Sequence, residues 1–159
     1  MDVFFDMTVL VAASEQRHPH YAQARPALLR VATGLDRGFI SAQSIAEVYA
    51  ALTRLPVQPR IHPVEAARIV AENILPHFEV VALSKDDYVE ALNAMASGGW
   101  AGAKIYDALL LHCAARRAVD RVYTFNLGDS SSWRLPVCKR RYAHREQPLR
   151  PRDELIPTR

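Results

Sequence analysis

Three acids stand where an ordinary core would place something apolar. Asp6 follows Val3-Phe4-Phe5 and precedes Thr8-Val9-Leu10-Val11. Glu47 lies among Ile45, Ala46, Val48 and Tyr49. Asp107 is preceded by Ile105-Tyr106 and followed by Ala108-Leu109-Leu110-Leu111. An ionised carboxylate in an apolar setting is costly unless it is paired or binds a metal. If the three converged they would repel one another, and a divalent cation would relieve that. Mg²⁺ and Mn²⁺ take hard oxygen ligands and usually keep several waters. A centre of that kind activates water and stabilises charge at a phosphodiester. Asn126 and Asp129 make a fourth polar position further along the chain.

Each acid also has a purely local reading. Ser44-x-x-Glu47 fits a capping box, in which Glu47 closes the start of a helix. Asp107 suits the first turn of a helix, where the backbone dipole favours negative charge. Asp6 can cap the helix that follows it.

The elements that would position these residues are legible in outline. Val3–Phe5 reads as a buried strand ending at Asp6, with a helical pattern after Thr8. Helices are expected at about His20–Ala32, Ala42–Leu55, Val64–Leu75, Lys85–Ala96 and Lys104–Ala118. Strands are expected at Gly38–Ile40, Phe78–Leu83 and Arg121–Phe125. The proline-rich stretch Pro56–Pro63 and the glycine-rich stretch Ser97–Gly102 read as loops. Strands separated by helices predict a three-layer α/β/α sandwich with a mostly parallel central sheet. Sites on such sheets lie at the carboxyl ends of the strands, near a switch in strand order. Asp6 and Asn126 both fall just past expected strand ends.

The 159 residues suit one domain over 1–135, followed by a basic, proline-containing tail over 136–159. From Lys139 onward there are seven Lys or Arg against three acids, within a chain of net charge +3. A nearly neutral body with a basic end suits an anionic polymer or a solvated tail. No apolar run approaches the roughly 20 residues of a membrane helix, and the first residues lack a signal-peptide pattern. Cys113 and Cys138 form no disulfide framework or zinc motif, so a reduced, cytoplasmic protein is expected. His18 and His20 flank Pro19 and read as surface. His112 reads as core or interface and Cys113 as helix core. Trp100 suits either base stacking or plugging of the sheet edge. No histidine has a serine or cysteine partner for nucleophilic catalysis.

The motifs resemble those of PIN-domain ribonucleases. Phe4-Phe5-Asp6-Met7-Thr8-Val9-Leu10-Val11 is similar to the family's opening motif, and Ser41-x-x-Ser44-x-x-Glu47-Val48-Tyr49 to its second. Gly102-Ala103-Lys104-Ile105-Tyr106-Asp107-Ala108-Leu109-Leu110 is similar to the third, and Tyr123-Thr124-Phe125-Asn126 with Asp129 to the last. The resemblance runs from about Val3 to Trp133 and points toward the VapC toxins of toxin–antitoxin pairs. It implies Asp6, Glu47 and Asp107 as ligands for Mg²⁺ or Mn²⁺. It implies that Thr8 orients Asp6 or a bound water, with Asn126 or Asp129 at the fourth position. Asn126 departs from the acid often found there. The resemblance further implies endonucleolytic hydrolysis of RNA, a cognate antitoxin and a homodimer. Two alternatives remain at this point. One is a haloacid-dehalogenase-like phosphotransferase, for which Asp6-Met7-Thr8 is a loose opening and Lys104 with Asp107 would be pressed into service. The other is a PIN-like module that binds RNA or a partner without cutting.

Overall fold

The computed structural model describes residues 1–126. Its strands are β1 (Asp2–Phe5), β2 (Arg37–Ser41), β3 (Phe78–Val81) and β4 (Arg121–Tyr123). Its helices are α1 (Met7–Ser14), α2 (Tyr21–Ala32), α3 (Ala42–Arg54), α4 (Pro63–Arg68), α5 (Lys85–Ser97) and α6 (Lys104–Arg116). The four strands form one parallel sheet in the order β3-β2-β1-β4. Phe4 sits at its centre, in register with Phe39 on one side and Val122 on the other.

Alternation along the strands sends side chains into two cores. Val3, Phe5, Ile40 and Phe78 pack with Leu10, Leu28, Val48 and Leu52 of α1, α2 and α3. Phe4, Phe39, Val81 and Val122 pack on the other face with Cys113 and Ala114 of α6. Phe4 and Phe5 are both fully buried. Each such ring contributes roughly 1.5–3 kcal/mol by leaving water. The layering follows from the strand order. Strands β1, β2 and β3 step one way across the sheet, and the chain then returns to the far side of β1. Right-handed crossovers in opposite directions put their helices on opposite faces. The reversal lies between β1 and β4, so their carboxyl ends flank the crevice where such sheets bind ligands.

Gly38 in β2 is required by crowding. A Cβ there would lie 2.5 Å from Val31 Cγ1 and 2.6 Å from Phe78 Cδ1. The side-chain-free residue lets α2 and Phe78 close over the strand.

Several elements are shorter than their sequence patterns predict. The expected helix Val64–Leu75 is α-helical only over Pro63–Arg68. It continues as a wide π-type turn over Ile69–Ile74 and a 3₁₀ turn over Leu75–His77. Pro76 has no N–H and crowds the preceding turn, so the run ends there. Strand β3 stops at Val81 because Ser84 opens a capping box with Asp87 at the head of α5. Strand β4 stops at Tyr123 because the next residues turn toward Asp6. Helix α6 ends at Arg116, and Ala118 adopts a left-handed φ of 47°. Trp100 packs against Met95, Ala108 and Leu111 rather than standing free.

Candidate active site

Asp6 leaves β1 at the switch point. Its amide donates to the Tyr123 carbonyl at 2.9 Å, extending the β1–β4 pairing by one step. It occupies the N-cap position of α1, yet its carboxylate caps nothing. Instead Oδ2 accepts two hydroxyls, from Thr8 at 2.6 Å and from Thr124 at 2.7 Å. The Thr8 hydroxyl also accepts from the Phe125 amide at 3.2 Å, and that of Thr124 from the Asn126 amide at 3.0 Å. The two threonines thereby tie β1 to the segment after β4. Neither hydroxyl bonds Oδ1 of Asp6. Asp6 as a residue is buried, 8% exposed, and these two bonds orient its carboxylate.

Glu47 is held differently. Its helix is capped by Ser41, whose Oγ accepts from the Ser44 amide at 2.9 Å and lies 2.8 Å from Ser44 Oγ. The capping-box reading of Ser44 and Glu47 is therefore corrected: α3 starts three residues earlier, and Glu47 lies beyond its first turn. Its Oε1 accepts from Gln43 Nε2 at 2.7 Å. Asp107 lies in the first turn of α6, as its local reading predicts. Its Oδ1 accepts from Asn126 Nδ2 at 3.3 Å.

These side chains meet in one cavity of about 350 Å³, lined by Asp6, Thr8, Glu47, Asp107 and Asn126. Val81, Leu83, Leu109 and Leu110 give it an apolar wall, and Arg54, Tyr88 and Tyr106 also line it. All five candidate site residues within the described part of the chain are thus brought together. Asp129 lies outside the described residues, as do Cys138, the basic tail and the boundary between 135 and 136. His18 and His20 stand apart from this cavity. His20 stacks on Phe125, with ring centroids 4.7 Å apart.

A family model for the PIN domain matches residues 3–128. The chain belongs to the PIN-domain family. Two solved structures share the fold of this PIN domain. One is VapC20 of Mycobacterium tuberculosis, a sarcin–ricin-loop-cleaving toxin. It has a TM-score of 0.62 at 18% identity, over 82% of this chain and 93% of the toxin. The other is VapBC2 from Rickettsia felis, bound to a DNA fragment from their promoter. Its TM-score is 0.60 at 16% identity, over 91% of this chain and all of the matched one. No curated protein matches the chain. The family match sets aside the haloacid-dehalogenase-like alternative, and Lys104 is not among the cavity-lining residues.

The donor set fits a hard divalent cation in type: three carboxylates and an amide oxygen, with Oδ1 of Asp6 outside both threonine bonds. Among the described residues, no three of His, Cys, Asp and Glu are close enough to hold an ion together. That open spacing is compatible with Mg²⁺, which binds through one or two carboxylates and retains waters.

Sequence reasoning left two supporting residues without a role. Thr124 lies within the last motif, but its use depends on β4 pairing with β1, which is a long-range event. Gln43 is four residues before Glu47 and could have been found from helical spacing alone. Cys113 also lines the cavity, and burial pushes its thiol up to about 11. It is a packing residue there, not a nucleophile.

Proposed function

We propose that this PIN domain is a Mg²⁺- or Mn²⁺-dependent endoribonuclease acting on single-stranded RNA. We further propose that it is the toxin of a toxin–antitoxin pair, restrained by a cognate antitoxin and self-associating as a homodimer. One observation carries the reading. Asp6, Glu47 and Asp107 come from three different elements and line one cavity at the switch point of the sheet. A core has no use for three acids in one crevice, whereas hydrolysis of a phosphodiester does.

In this reading one or two of Asp6, Glu47 and Asp107 would hold the cation directly and the remainder through its waters, and Asp129 would add a ligand from beyond the described residues. A divalent ion bound there supplies an acidified water and neutralises charge on the phosphate. The chain's own residues set the geometry. Thr8 and Thr124 fix the rotamer of Asp6, leaving Oδ1 for a ligand. Asn126 holds Asp107 by its amide hydrogen, and Gln43 steadies Glu47. The leucine and valine wall lowers the local dielectric, which strengthens every charge interaction in the cavity. No helix among the described residues is long and apolar enough to cross a membrane.

The test is cleavage of a single-stranded RNA by the purified full chain. Cleavage is expected with Mg²⁺ or Mn²⁺, and its loss is expected in EDTA. Undiminished cleavage in EDTA overturns the metal mechanism. RNA binding without cleavage at any metal concentration establishes the non-cutting alternative instead.

A further inference from the structure

The cavity carries more than its acids. Its lining includes one cation among the described residues, Arg54, and two tyrosines, Tyr88 and Tyr106. Arg54 follows Glu47 by seven residues, two helical turns, so both lie on the same face of α3 about 10 Å apart along its axis. That separation suits a phosphate beside the one held at the acids rather than the same one. Six of the ten described arginines are paired with carboxylates: Arg17 with Glu15, Arg30 with Asp36, Arg37 and Arg117 with Glu79, Arg68 with Glu72, and Arg116 with Asp87. Arg54 is not. Its Nε donates to the Ala50 carbonyl at 3.1 Å, and its two terminal nitrogens bond no described residue. An exposed arginine that lines an acid-bearing cavity, yet pairs with none of the acids, is suited to a bidentate contact with a phosphate.

The tyrosines come from the other side. Tyr88 on α5 is 42% exposed and Tyr106 on α6 is 55% exposed. Neither hydroxyl bonds a described residue, so neither ring is held as part of the core. Helices α5 and α6 cover the face of the sheet opposite α3. A strand lying in the crevice would therefore meet a cation on one wall and aromatic faces on the other. Only unpaired bases have free faces to offer such rings.

We propose that Arg54, Tyr88 and Tyr106 form a nucleotide subsite beside the carboxylates. Arg54 grips a phosphate flanking the scissile one, and the two tyrosine rings stack on unpaired bases. The subsite rests on the ribonuclease reading and accounts for a single-strand preference.

The test measures anisotropy of a labelled single-stranded RNA, with the full chain carrying Asp107→Asn to prevent cutting and Mg²⁺ present. Arg54→Ala is expected to weaken binding several-fold and to lower the slope of log affinity against log salt by about one. The basic tail contributes equally to parent and variant, so the difference isolates Arg54. Tyr88→Ala and Tyr106→Ala are each expected to weaken binding about ten-fold, with Phe restoring it because the ring rather than the hydroxyl stacks. In the otherwise wild-type chain the same changes should raise KM and leave kcat nearly unchanged. All three side chains are exposed, and the melting temperature should stay at the parental value. Alanine variants that bind like the parent overturn the subsite while RNA cleavage by wild type stands. Failure of the Phe variants to restore binding overturns the stacking role. A wild-type chain that neither binds nor cuts RNA overturns the ribonuclease reading itself, and the subsite with it.

Discussion

Asn126 donates from Nδ2 to Oδ1 of Asp107 across 3.3 Å, joining the segment after β4 to the first turn of α6. An amide here lets two neighbouring polar groups attract where two carboxylates would repel. Asn126→Asp reverses that. Without metal the new charge faces Asp107 and should destabilise the fold by up to about 1 kcal/mol, a screened surface value. With metal it becomes an added ligand. The variant should therefore melt lower than wild type in EDTA and gain more on adding Mg²⁺. Thermal melts in both conditions check this, and an unchanged metal response would count against a place for Asn126 at the cation. In activity, Asn126→Ala should lower turnover at every metal concentration. Asp129→Ala should weaken cleavage most at low Mg²⁺ and recover partly as metal is raised. A wild-type Mg²⁺ titration for Asp129→Ala would remove that residue from the cation site.

The two threonines on Asp6 are a second point of leverage. Thr124→Val and Thr8→Val each remove one hydroxyl from Oδ2 and leave one backbone amide without its acceptor. Each lost bond should cost about 1 kcal/mol of stability. Because the bonds orient a ligand, apparent metal affinity should fall by about 10- to 100-fold. Cleavage across a Mn²⁺ titration reads this as a rightward shift with a nearly normal plateau. Thr124→Ser should keep the shift small, since the hydroxyl remains. A normal titration for Thr124→Val would mean that the Thr8 hydroxyl and the backbone suffice to orient Asp6.

How far this was legible from the chain depended on range. Asp6 stood out because a short apolar run stops at it, and the strand end is local information. The same holds for Asp107, whose helix begins just after Gly102. Thr124 was invisible as a partner because it reaches Asp6 across 118 residues, through a β1–β4 pairing that no local pattern encodes. Glu47 was ambiguous because two serines three residues apart can each cap a helix, and only the fold selected Ser41. The helix expected over Val64–Leu75 misled because its apolar spacing persists through Ile74 while Pro76 denies the backbone its bonds. Arg54, Tyr88 and Tyr106 are ordinary surface residues in a linear reading. They become a group only once α3, α5 and α6 are arranged around one crevice.

Cys113 gives a prediction in pH. Burial raises its thiol from an ordinary 9.0 to about 11. A group whose folded pKa is raised contributes stability below its unfolded pKa, and that contribution is lost as pH climbs through the folded value. Wild-type stability should therefore decline between about pH 9 and 11 more steeply than that of Cys113→Ala. The alanine variant should be somewhat less stable at neutral pH, because a buried sulfur is replaced by a small void. Denaturant melts of both proteins across that range decide it. In the folded protein at neutral pH, peptide mapping after alkylation should find Cys113 unmodified. Rapid labelling would contradict its burial behind Val81 and Ala114.

The acids themselves allow the sharpest separation of charge from shape. In Asp6→Asn the remaining oxygen can still accept from Thr8 and Thr124. In Glu47→Gln it can still accept from Gln43, and in Asp107→Asn from Asn126. Each substitution thus preserves the hydrogen bond while deleting the charge. If the carboxylates serve only the fold, the three variants should lose stability and keep whatever activity the chain has. If they serve a cation, cleavage should vanish while the metal-free melting temperature stays level or rises, since like charges in one cavity no longer repel. The thermal shift that Mn²⁺ gives wild type should shrink in every variant, because a ligand stabilises only the state that binds it. That shift is read without any RNA, so it tests the cation site independently of the substrate. Retained cleavage in Asp107→Asn, together with a wild-type Mn²⁺ shift, would remove Asp107 from the site and leave its first-turn placement on α6 as its whole role.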